Sequence, residues 1–539
     1  MRVKIPPPAR AVALAAGLPL LLRLVLLPLL PIPVPAVSDE FSYLLGADTF
    51  AQGRLTNPQH PLWAFFETFH VLVQPSYASM YPPGQALVMA LGQVVLGGPW
   101  WGVFLSVGLM CGAVCWLLQA FLPPRWSLAG GLSFALLFGI EHYFMNSYWG
   151  GAVATAGGAI LLGAASRLLF SKRVPRRPRL HGFLVGLGAA VLMHTRVWEG
   201  LCVALPVALA LAVWLFRARG PELRARVLSV ALPAALPLVV AGAFLLRLDH
   251  AVTGSAFELP YLLNRRAYHV APLFLWQDER PASEYRRELM RRFYTDWKSS
   301  EEPVRGGPPT RNPFLGLAIW LVHYKLLWGT LAATLLSVVF VRRPSVRFLL
   351  VVVLVFFAGI SLQSYRLMHY LAPGMGLCAV VLMLGFQTVG RLRVRGRRLG
   401  RVLPAIVLGA AAIGFVRNTI LVVARHERGI GERREELVAR LSATPGKHVV
   451  LVRYGPEHSV HEEWVYNGAD IDGGKIVFAC DLGSEENEKL FSYYRDRTLW
   501  LFAPDDGDAL TPAAIAASRE TAESPSQVGI PAGAATSPD

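Results

Sequence analysis

The sequence predicts an α-helical polytopic membrane protein with a small α/β domain at its C-terminal end. Of the 539 residues, 54% are hydrophobic and only 16% are charged, and the mean hydropathy is +0.42. Ordinary soluble domains carry roughly 25% charged residues. Several apolar runs also reach the roughly 20 residues that a helix needs to cross a bilayer. An ordinary soluble protein is therefore excluded.

The apolar runs give eleven candidate transmembrane spans, within a membrane domain over residues 1–423. No small-residue cleavage site follows the first run, so we expect an uncleaved span there rather than a signal peptide. The shorter stretch 85–97 has only about 13 residues, and it is predicted to be an interfacial helix on the outer surface, with a short true span as the alternative. The candidate spans are residues 11–33, 100–121, 127–141, 152–170, 182–195, 198–216, 229–248, 314–340, 347–362, 370–389 and 402–422.

Basic residues lie in short clusters between the apolar runs. Despite the net charge of +16, this distribution indicates membrane orientation and not a nucleic-acid surface. With eleven spans every cluster falls on one side, which should be cytoplasmic. We therefore expect a bacterial-type cytoplasmic membrane protein with a cytoplasmic N-terminus. The external loops 34–84 and 249–312 and the C-terminal domain would lie outside.

The C-terminal part has a different character from the spans. Short β-rich runs at 448–453, 475–479 and 498–502 alternate with helical patterns at 426–441 and 484–495. This alternation predicts an α/β domain over residues 424–505. The tail, residues 506–539, is rich in Ala, Ser, Thr and Pro, and we expect it to be disordered.

Two adjacent carboxylates, Asp39 and Glu40, directly follow the first span. Ionisable groups near hydrocarbon are costly, so they are candidates for function. A carboxylate held near the bilayer surface could act as a general base on an acceptor hydroxyl or amine. The alternative is that the two acids merely mark a solvated loop.

The first external loop opens with Asp39-Glu40 and closes with Tyr81-Pro82-Pro83-Gly84. In this it resembles the GT-C glycosyltransferases, and within them the family 39-like branch of protein O-mannosyltransferases and lipid A aminoarabinose transferases. The resemblance is best over residues 11–216 and does not extend to the C-terminal domain. It implies a GT-C-like fold and an enzyme that takes a sugar from a polyprenyl-phosphate donor. Asp39 would then be the catalytic base or acceptor-positioning group, with Glu40 beside it and Tyr81 on the substrate.

Residues 141–151 form another external loop in this topology. In the related transferases an acidic residue of this loop faces the first-loop Asp. The nearest candidate for that residue here is Glu141 or His142. The alternative is an aromatic belt at the membrane interface, which the tyrosines and tryptophan of the loop would form. The substrate contacts expected from this loop are Glu141, His142, Asn146 and Trp149.

Arg196 lies between two apolar runs that leave no real loop between them. A guanidinium at that depth needs a partner, and a phosphate suits it because Arg donates two parallel hydrogen bonds. The resemblance also implies a Lys or Arg after Thr at this place. The alternative is an ion pair with Glu199 at helical i,i+3 spacing. In a later external turn, Arg366 and His369 could also bind the donor phosphate, or could snorkel to the interface.

Two further groups carry weaker signals. Arg265 and Arg266 could contact lipid headgroups or the donor. The acidic residues and histidines between 458 and 472 match no standard zinc or EF-hand spacing, so we expect a polar loop there. No cofactor is demanded by the sequence, and a divalent metal ion near Asp39 remains open because some relatives bind one.

Together these features predict a membrane glycosyltransferase. It would move a sugar from a polyprenyl-phosphate-linked donor to a protein, lipid or glycan acceptor at the outer face of the membrane. The expected partners are that donor and membrane lipids, with no nucleic acid. The alternative is a transporter or flippase of a lipid-linked sugar, but transporters usually show internal repeats and interrupted helices. The sequence leaves the sugar, the acceptor and the role of the C-terminal domain open.

Overall fold

The structure, a computed structural model, describes residues 6–171, 177–295, 325–337, 342–365, 367–394, 397–398, 400, 402–424 and 428–512. Helices make up most of it. The α-helices are α1 (Pro8–Val25), α2 (Ser38–Ala51), α3 (Gly84–Leu96), α4 (Pro99–Phe121), α5 (Pro124–Phe138), α6 (Tyr143–Asn146), α7 (Ala152–Phe170), α8 (Pro178–Met193), α9 (Val197–Phe216), α10 (Gly220–Arg226), α11 (Leu232–Thr253), α12 (Pro260–Tyr268), α13 (Glu288–Thr295), α14 (Lys325–Ser337), α15 (Pro344–Ser361), α16 (Met375–Val389), α17 (Leu403–Ala424), α18 (Ile430–Ala443) and α19 (Ser484–Tyr493).

Shorter elements complete the fold. A π-helical segment, Val227–Ala231, joins α10 to α11, and a 3-10 helix, Met368–Gly374, leads into α16. Another 3-10 helix, Trp63–Phe66, lies in the first loop. The strands are β1 (Asn57–Pro58), β2 (Val71–Leu72), β3 (Ser76–Ser79), β4 (Arg393–Val394), β5 (Arg397–Arg398), β6 (Lys447–Val452), β7 (Ile476–Cys480), β8 (Arg497–Ala503) and β9 (Ala509–Pro512).

Within the described ranges, eight helical segments are long and apolar enough to cross a membrane, and each coincides with a predicted span. Two more predicted spans hold the shorter helices α5 and α8. Of the predicted span 314–340, only α14 lies among the described residues. The chain is thus a multi-pass helical membrane protein, and the count of eleven stays a prediction. The eight segments are Pro8–Val25, Pro99–Phe121, Ala152–Phe170, Val197–Phe216, Gly220–Thr253, Pro344–Ser361, Met368–Val389 and Leu403–Ala424.

Helices α4 and α7 form the buried centre of the membrane part, whereas few residues of α11 and α17 are buried. Small residues allow the close approach at the centre. A Cβ at Gly158 would lie 2.0 Å from the carbonyl oxygen of Pro373, and one at Gly188 would lie 2.7 Å from that of Gly157. Such contacts let helix backbones pack directly on each other, as is common where van der Waals packing drives association in lipid.

The C-terminal domain has the α/β structure that the sequence predicts. Strands β7, β6 and β8 are parallel neighbours, and Val450 of β6 lies opposite both Phe478 and Trp500. Each predicted strand and helix is present, with ends shifted by a few residues. The antiparallel edge strand β9 pairs with β8 within the stretch that the sequence assigns to the tail. Residues 513–539 lie outside the described part of the chain.

The C-terminal domain, residues 428–512, packs directly on the first loop. We call it the outer domain after the side of the membrane on which the sequence predicts it. The Phe41 ring of α2 is stacked on Tyr466, with centroids 4.2 Å apart. The backbone N–H of Ala469 donates to Asp48 Oδ2 at 2.7 Å. The first loop therefore lies between the spans and the outer domain, and it is fixed to both.

Candidate active site

A cavity of about 780 Å³ lies where the first loop, the α8–α9 turn, α11, α12 and the outer domain meet. Its size suits a small-molecule site, which typically measures about 300–1,000 Å³. Apolar side chains of α9, α11 and α12 form part of the wall, and polar groups converge on the rest. The charged lining residues are Asp39, Arg196, Glu199, Asp249, Arg265 and Arg292.

Asp39 stands in the first turn of α2 and lines the cavity, half-buried. The phenol of Tyr81 donates a hydrogen bond to Asp39 Oδ1. The Tyr81 ring is in turn stacked on Tyr43, with centroids 4.5 Å apart. Burial and the neighbouring Asp39 carboxylate raise the pKa of Tyr81 well above its ordinary value, so the phenol stays a donor. Tyr81, predicted as a substrate contact, thus also holds Asp39 in place.

Glu40 does not line the cavity, so the structure gives no support to the catalytic role predicted for it. Its carboxylate is only 3% exposed. It accepts hydrogen bonds from the backbone N–H groups of Ala36 (2.9 Å), Val37 (3.2 Å) and Tyr148 (2.8 Å). Successive residues of an α-helix point about 100° apart, so one member of an adjacent pair faces the cavity and the other does not. Glu40 therefore joins the first loop to the loop before α7.

Of the four residues predicted from loop 141–151, only Trp149 lines the cavity. Its ring lies 4.7 Å from that of His369, which is buried and also lines the cavity. Glu141 instead accepts a hydrogen bond from the Thr419 hydroxyl of α17. The structure thus joins Glu141 to a neighbouring helix, and its contact with the substrate stays a prediction.

His142 and Asn146 also lie away from the cavity lining. His142 Nδ1 accepts from the backbone N–H of Phe144 at 3.4 Å, which caps the short helix α6. Asn146 Oδ1 accepts from Arg23 Nε of α1 at 3.0 Å. Both side chains are thus used to shape the loop and to attach it to the first span, and the structure does not place them on a substrate.

Arg196 lies at the N-cap of α9 and lines the cavity. Its guanidinium carbon is 5.8 Å from the centroid of the Tyr370 ring. No hydrogen bond or salt bridge joins this guanidinium to another residue of the described ranges. The ion pair with Glu199 considered from the sequence is not formed as a salt bridge, although the two charges act on each other electrostatically. Glu199 Oε1 accepts from Gln363 Nε2 at 3.3 Å.

Arg265 of α12 provides a further buried cation in the same cavity, at 5% exposure. Its Nη2 donates to the carbonyl oxygen of Ala271 at 2.5 Å, and its Nη1 lies 3.5 Å from His269 Nδ1. Arg196 and Arg265 both act electrostatically on Tyr370. Arg196 and Arg265 therefore both lie within electrostatic reach of the Tyr370 phenol, although the Arg265 guanidinium carbon lies over a different ring, that of Tyr261, at 5.9 Å from its centroid. Of the other two predicted phosphate ligands, Arg366 lies outside the described residues, whereas His369 is buried and lines the cavity.

Several cavity residues were not identified from the sequence. His70 and His269 stand in loop segments without a recognisable motif, and Glu199 was considered only as a partner of Arg196. Asp249 carried one usable signal, because it is an acidic residue at the end of an apolar run. As for a metal ion, no group of three or more His, Cys, Asp or Glu side chains among the described residues could hold one.

No protein-family model matches the sequence, and no curated protein sequence is significantly similar to it. Solved structures are similar in fold. ArnT from Cupriavidus metallidurans, a lipid A aminoarabinose transferase, matches in its undecaprenyl-phosphate-bound form with a TM-score of 0.53, at 12% identity over 94% of both chains. Its apo form matches with a TM-score of 0.51, at 13% identity and the same coverage.

A more distant likeness is to the Archaeoglobus fulgidus oligosaccharyltransferase in its apo form. It has a TM-score of 0.40 and 13% identity, over 82% of this chain and 62% of that chain. The part of this chain that the ArnT match leaves uncovered is smaller than the outer domain. The likeness therefore extends into that domain, where the sequence resemblance was not visible. The chain thus has an ArnT-like fold that includes its C-terminal α/β domain.

Proposed function

We propose that this protein is a membrane glycosyltransferase that moves a sugar from a polyprenyl-phosphate-linked donor to an acceptor. One observation carries the proposal: a carboxylate, Asp39, and two guanidinium groups, Arg196 and Arg265, line the same cavity. The ArnT structure of the same fold was crystallised bound to undecaprenyl phosphate, which supports a donor of this class. The site lies at the outer face of a bacterial-type cytoplasmic membrane, with the N-terminus in the cytoplasm.

The donor phosphate binds between Arg196 and Arg265 in this proposal. Guanidinium groups bind phosphate oxygens through two parallel, charge-assisted hydrogen bonds. Arg196 is suited to this because its guanidinium has no hydrogen bond or salt bridge to another described residue. Arg265 is held by the carbonyl oxygen of Ala271, which leaves other N–H groups of its guanidinium for a ligand.

The polyprenyl chain lies against the apolar wall of the cavity. Leu201 of α9 and Leu262 of α12 both line the cavity, yet they are 48% and 44% exposed. Side chains that belong to both a cavity and an exposed helix surface mark a lateral opening. A lipid tail can occupy such an opening while its phosphate stays inside, because the tail remains in an apolar environment.

The chemical step is a displacement at the anomeric carbon. Asp39 takes the proton from an acceptor hydroxyl or amine, and the freed lone pair attacks the anomeric carbon. The bond between that carbon and the phosphate oxygen breaks, and its electron pair stays on the phosphate. Arg196 and Arg265 stabilise the charge that develops there. The products are the glycosylated acceptor and free polyprenyl phosphate.

A test of this function uses the purified full-length protein in proteoliposomes with undecaprenyl phosphate carrying a radiolabelled hexose and a bacterial membrane extract as acceptor source. We expect release of undecaprenyl phosphate and transfer of label to the extract. Movement of the intact donor between leaflets without cleavage would support the flippase alternative and contradict the proposal. Asp48→Asn is the matched control for Asp39→Asn in the same assay, because Asp48 is on the same helix as Asp39 but outside the cavity lining.

A further inference from the structure

Two histidines of the cavity wall lie between the phosphate-binding cations and the carboxylate. His269 Nδ1 is 3.5 Å from Arg265 Nη1. The His269 ring lies 4.6 Å from the ring of Tyr294. The Tyr294 hydroxyl, in turn, is 3.4 Å from the backbone nitrogen of His70. These contacts form the first part of a row of residues, which runs from Arg265 to His70.

The same row continues from His70 to the carboxylate. The His70 ring lies 5.7 Å from the ring of Tyr81, and Tyr81 donates its hydrogen bond to Asp39. The Asp39 carboxylate also acts electrostatically on the His70 imidazole. Of the residues in this row, His269, Tyr294 and His70 have no role in the proposed chemical step, although all three line the cavity.

Both histidines have a buried ring nitrogen without a hydrogen-bond partner in the described part of the chain: Nδ1 of His70 and Nε2 of His269. Arg265 can only donate, so Nδ1 of His269 is the acceptor of that contact. The proton of the neutral imidazole is then on Nε2, which makes Nε2 a donor that lacks an acceptor. Buried polar groups without a partner are uncommon in folded proteins, so each needs an explanation.

The backbone of His70 supplies an independent observation. Its φ is +61°, in the left-handed region that non-glycine residues seldom adopt. The Ser42 hydroxyl (2.7 Å) and the Met80 backbone N–H (3.2 Å) both donate to the His70 carbonyl oxygen and hold this conformation. Strained conformations of this kind persist only where the surroundings fix them, and they are concentrated at functional sites.

Both imidazoles are neutral at physiological pH. Burial lowers the pKa of His70, and burial together with Arg265 lowers the pKa of His269 well below its ordinary value. A neutral imidazole offers one donor and one acceptor nitrogen. That combination suits uncharged hydroxyl groups, which can accept from one nitrogen and donate to the other.

We propose that His70 and His269 form the subsite that binds the hydroxyl groups of the transferred sugar. The inference rests on the proposed function. The anomeric carbon is bonded to the donor phosphate at Arg265 and is attacked by the acceptor at Asp39, so the sugar ring must lie between them. The two histidines occupy that interval. The aromatic rings of Phe293 and Tyr294, also on the cavity wall, provide apolar surface beside them.

The test compares two probes on the full-length protein in detergent: undecaprenyl phosphate and undecaprenyl phosphate carrying glucose. The variants are His70→Phe and His269→Phe, which keep an aromatic ring and remove the nitrogens. We expect both variants to bind undecaprenyl phosphate like the wild type. We expect each to bind the glucose-carrying probe roughly tenfold more weakly, as for the loss of one hydrogen bond.

His60→Phe is the matched control, because His60 is a buried histidine outside the cavity lining. It should leave the ratio of the two affinities unchanged. If His70→Phe does not fold, His70→Gly replaces it, because glycine adopts a positive φ freely and lacks both nitrogens. We expect His70→Gly to bind the glucose-carrying probe more weakly by the same factor as His70→Phe.

Three results would overturn the inference while leaving the proposed function standing. These are an equal loss of affinity for both probes, unchanged affinity for both, and equal binding of the two probes by the wild type. A wild type that binds neither probe would instead overturn the proposed function. The two failures are therefore distinguishable, because undecaprenyl phosphate itself reports only on the phosphate and lipid part of the site.

Discussion

At the residue scale, the adjacent carboxylates Asp39 and Glu40 have different surroundings and therefore different roles. Asp39 lines the cavity and accepts from Tyr81. Glu40 accepts from three backbone N–H groups and is buried between two loops. The sequence places both near the membrane surface, but it does not show which one faces the cavity. Only the helix direction and the position of the loop before α7 decide that.

Glu40→Gln should lower stability without removing transfer. The amide keeps one acceptor oxygen and turns an NH₂ group toward backbone donors, so about 1–3 kcal/mol of folding free energy should be lost. Thermal unfolding of the full-length protein measures this loss. Turnover well below the melting temperature should be near the wild-type value. A variant with an unchanged melting temperature and abolished transfer would instead place Glu40 in the chemistry.

Arg265→Gln and Arg266→Gln form a matched pair for the phosphate site. Arg265 is buried and lines the cavity, whereas Arg266 is exposed and paired with Glu258 at 2.5 Å. A hydrogen bond to a charged group contributes about 1.5–3 kcal/mol, so Arg265→Gln should weaken undecaprenyl phosphate binding at least roughly tenfold. Arg266→Gln should change it little, because exposed pairs contribute about 0–1 kcal/mol. Equal affinities for the two variants would remove Arg265 from the site.

At the element scale, the start of α3 sets the position of the α8–α9 turn. The backbone N–H of Gly84 donates to the His194 carbonyl oxygen at 2.7 Å. A Cβ at Gly84 would lie 2.5 Å from Thr195 Cγ2 and 2.7 Å from that same carbonyl oxygen. The side chain of Arg196 follows directly on this turn. The glycine therefore allows the first loop and the turn before Arg196 to come together.

Gly84→Ala should displace this turn. We expect a large loss of turnover and only a small drop in the temperature of thermal unfolding. A misplacement near 1 Å can cost roughly a hundredfold in rate when it moves a positioned catalytic group. Gly17→Ala is the control, since a Cβ there would meet no atom of the described chain within 4 Å. Steady-state transfer rates and thermal unfolding of both variants provide the comparison. Normal turnover in Gly84→Ala would show that the turn adapts.

The sequence predicted helices and strands correctly where a run of residues was long and apolar, or where a short β-rich run lay between turns. The spans follow from the apolar runs, and strands β6, β7 and β8 follow from short β-branched runs between turns. The short strands β1, β2 and β3 of the first loop were not predicted, because pairs of two to four residues carry no measurable period. Helix α6 has four residues and was read as part of a loop for the same reason.

The candidate site was predicted in part. Asp39, Tyr81, Trp149, Arg196 and His369 all line the cavity, and each was identified from charge or aromatic character near a predicted membrane surface. Glu141, His142 and Asn146 do not. Tertiary contacts with α17 and α1 use the side chains of Glu141 and Asn146, and His142 caps the short helix α6 that directly follows it. His70 and His269 were missed because a lone histidine in a loop gives no signal until its neighbours are known.

At the whole-molecule scale, the outer domain completes the cavity. Val460 and His461 of this domain line the cavity together with Arg292 of the second long loop. The Arg292 guanidinium donates to the Pro456 carbonyl oxygen at 2.8 Å and so holds the two segments together. A buried salt bridge between Arg287 and Glu463, 2.8 Å long, connects the same parts. The domain is therefore part of the site and not a separate appendage.

Glu463→Gln should destabilise this connection strongly, because removing one partner leaves a buried charge uncompensated at a cost of about 3–5 kcal/mol. Glu288→Gln is the matched control, because the Arg291–Glu288 pair is exposed and such pairs contribute about 0–1 kcal/mol. Thermal unfolding and limited proteolysis between the spans and the outer domain would follow the effect. Equal behaviour of the two variants would show that the buried pair does not fasten the domain.

The most direct test of the whole account is the single-turnover rate of Asp39→Asn with undecaprenyl phosphate carrying a radiolabelled hexose. The variant keeps the shape of the side chain and its hydrogen bond from Tyr81, but it cannot take a proton. We expect undecaprenyl phosphate binding and the melting temperature to match the wild type, while release of undecaprenyl phosphate slows by about 10²–10⁴. A variant that folds, binds and turns over at the wild-type rate would contradict the central claim that Asp39 is the catalytic base.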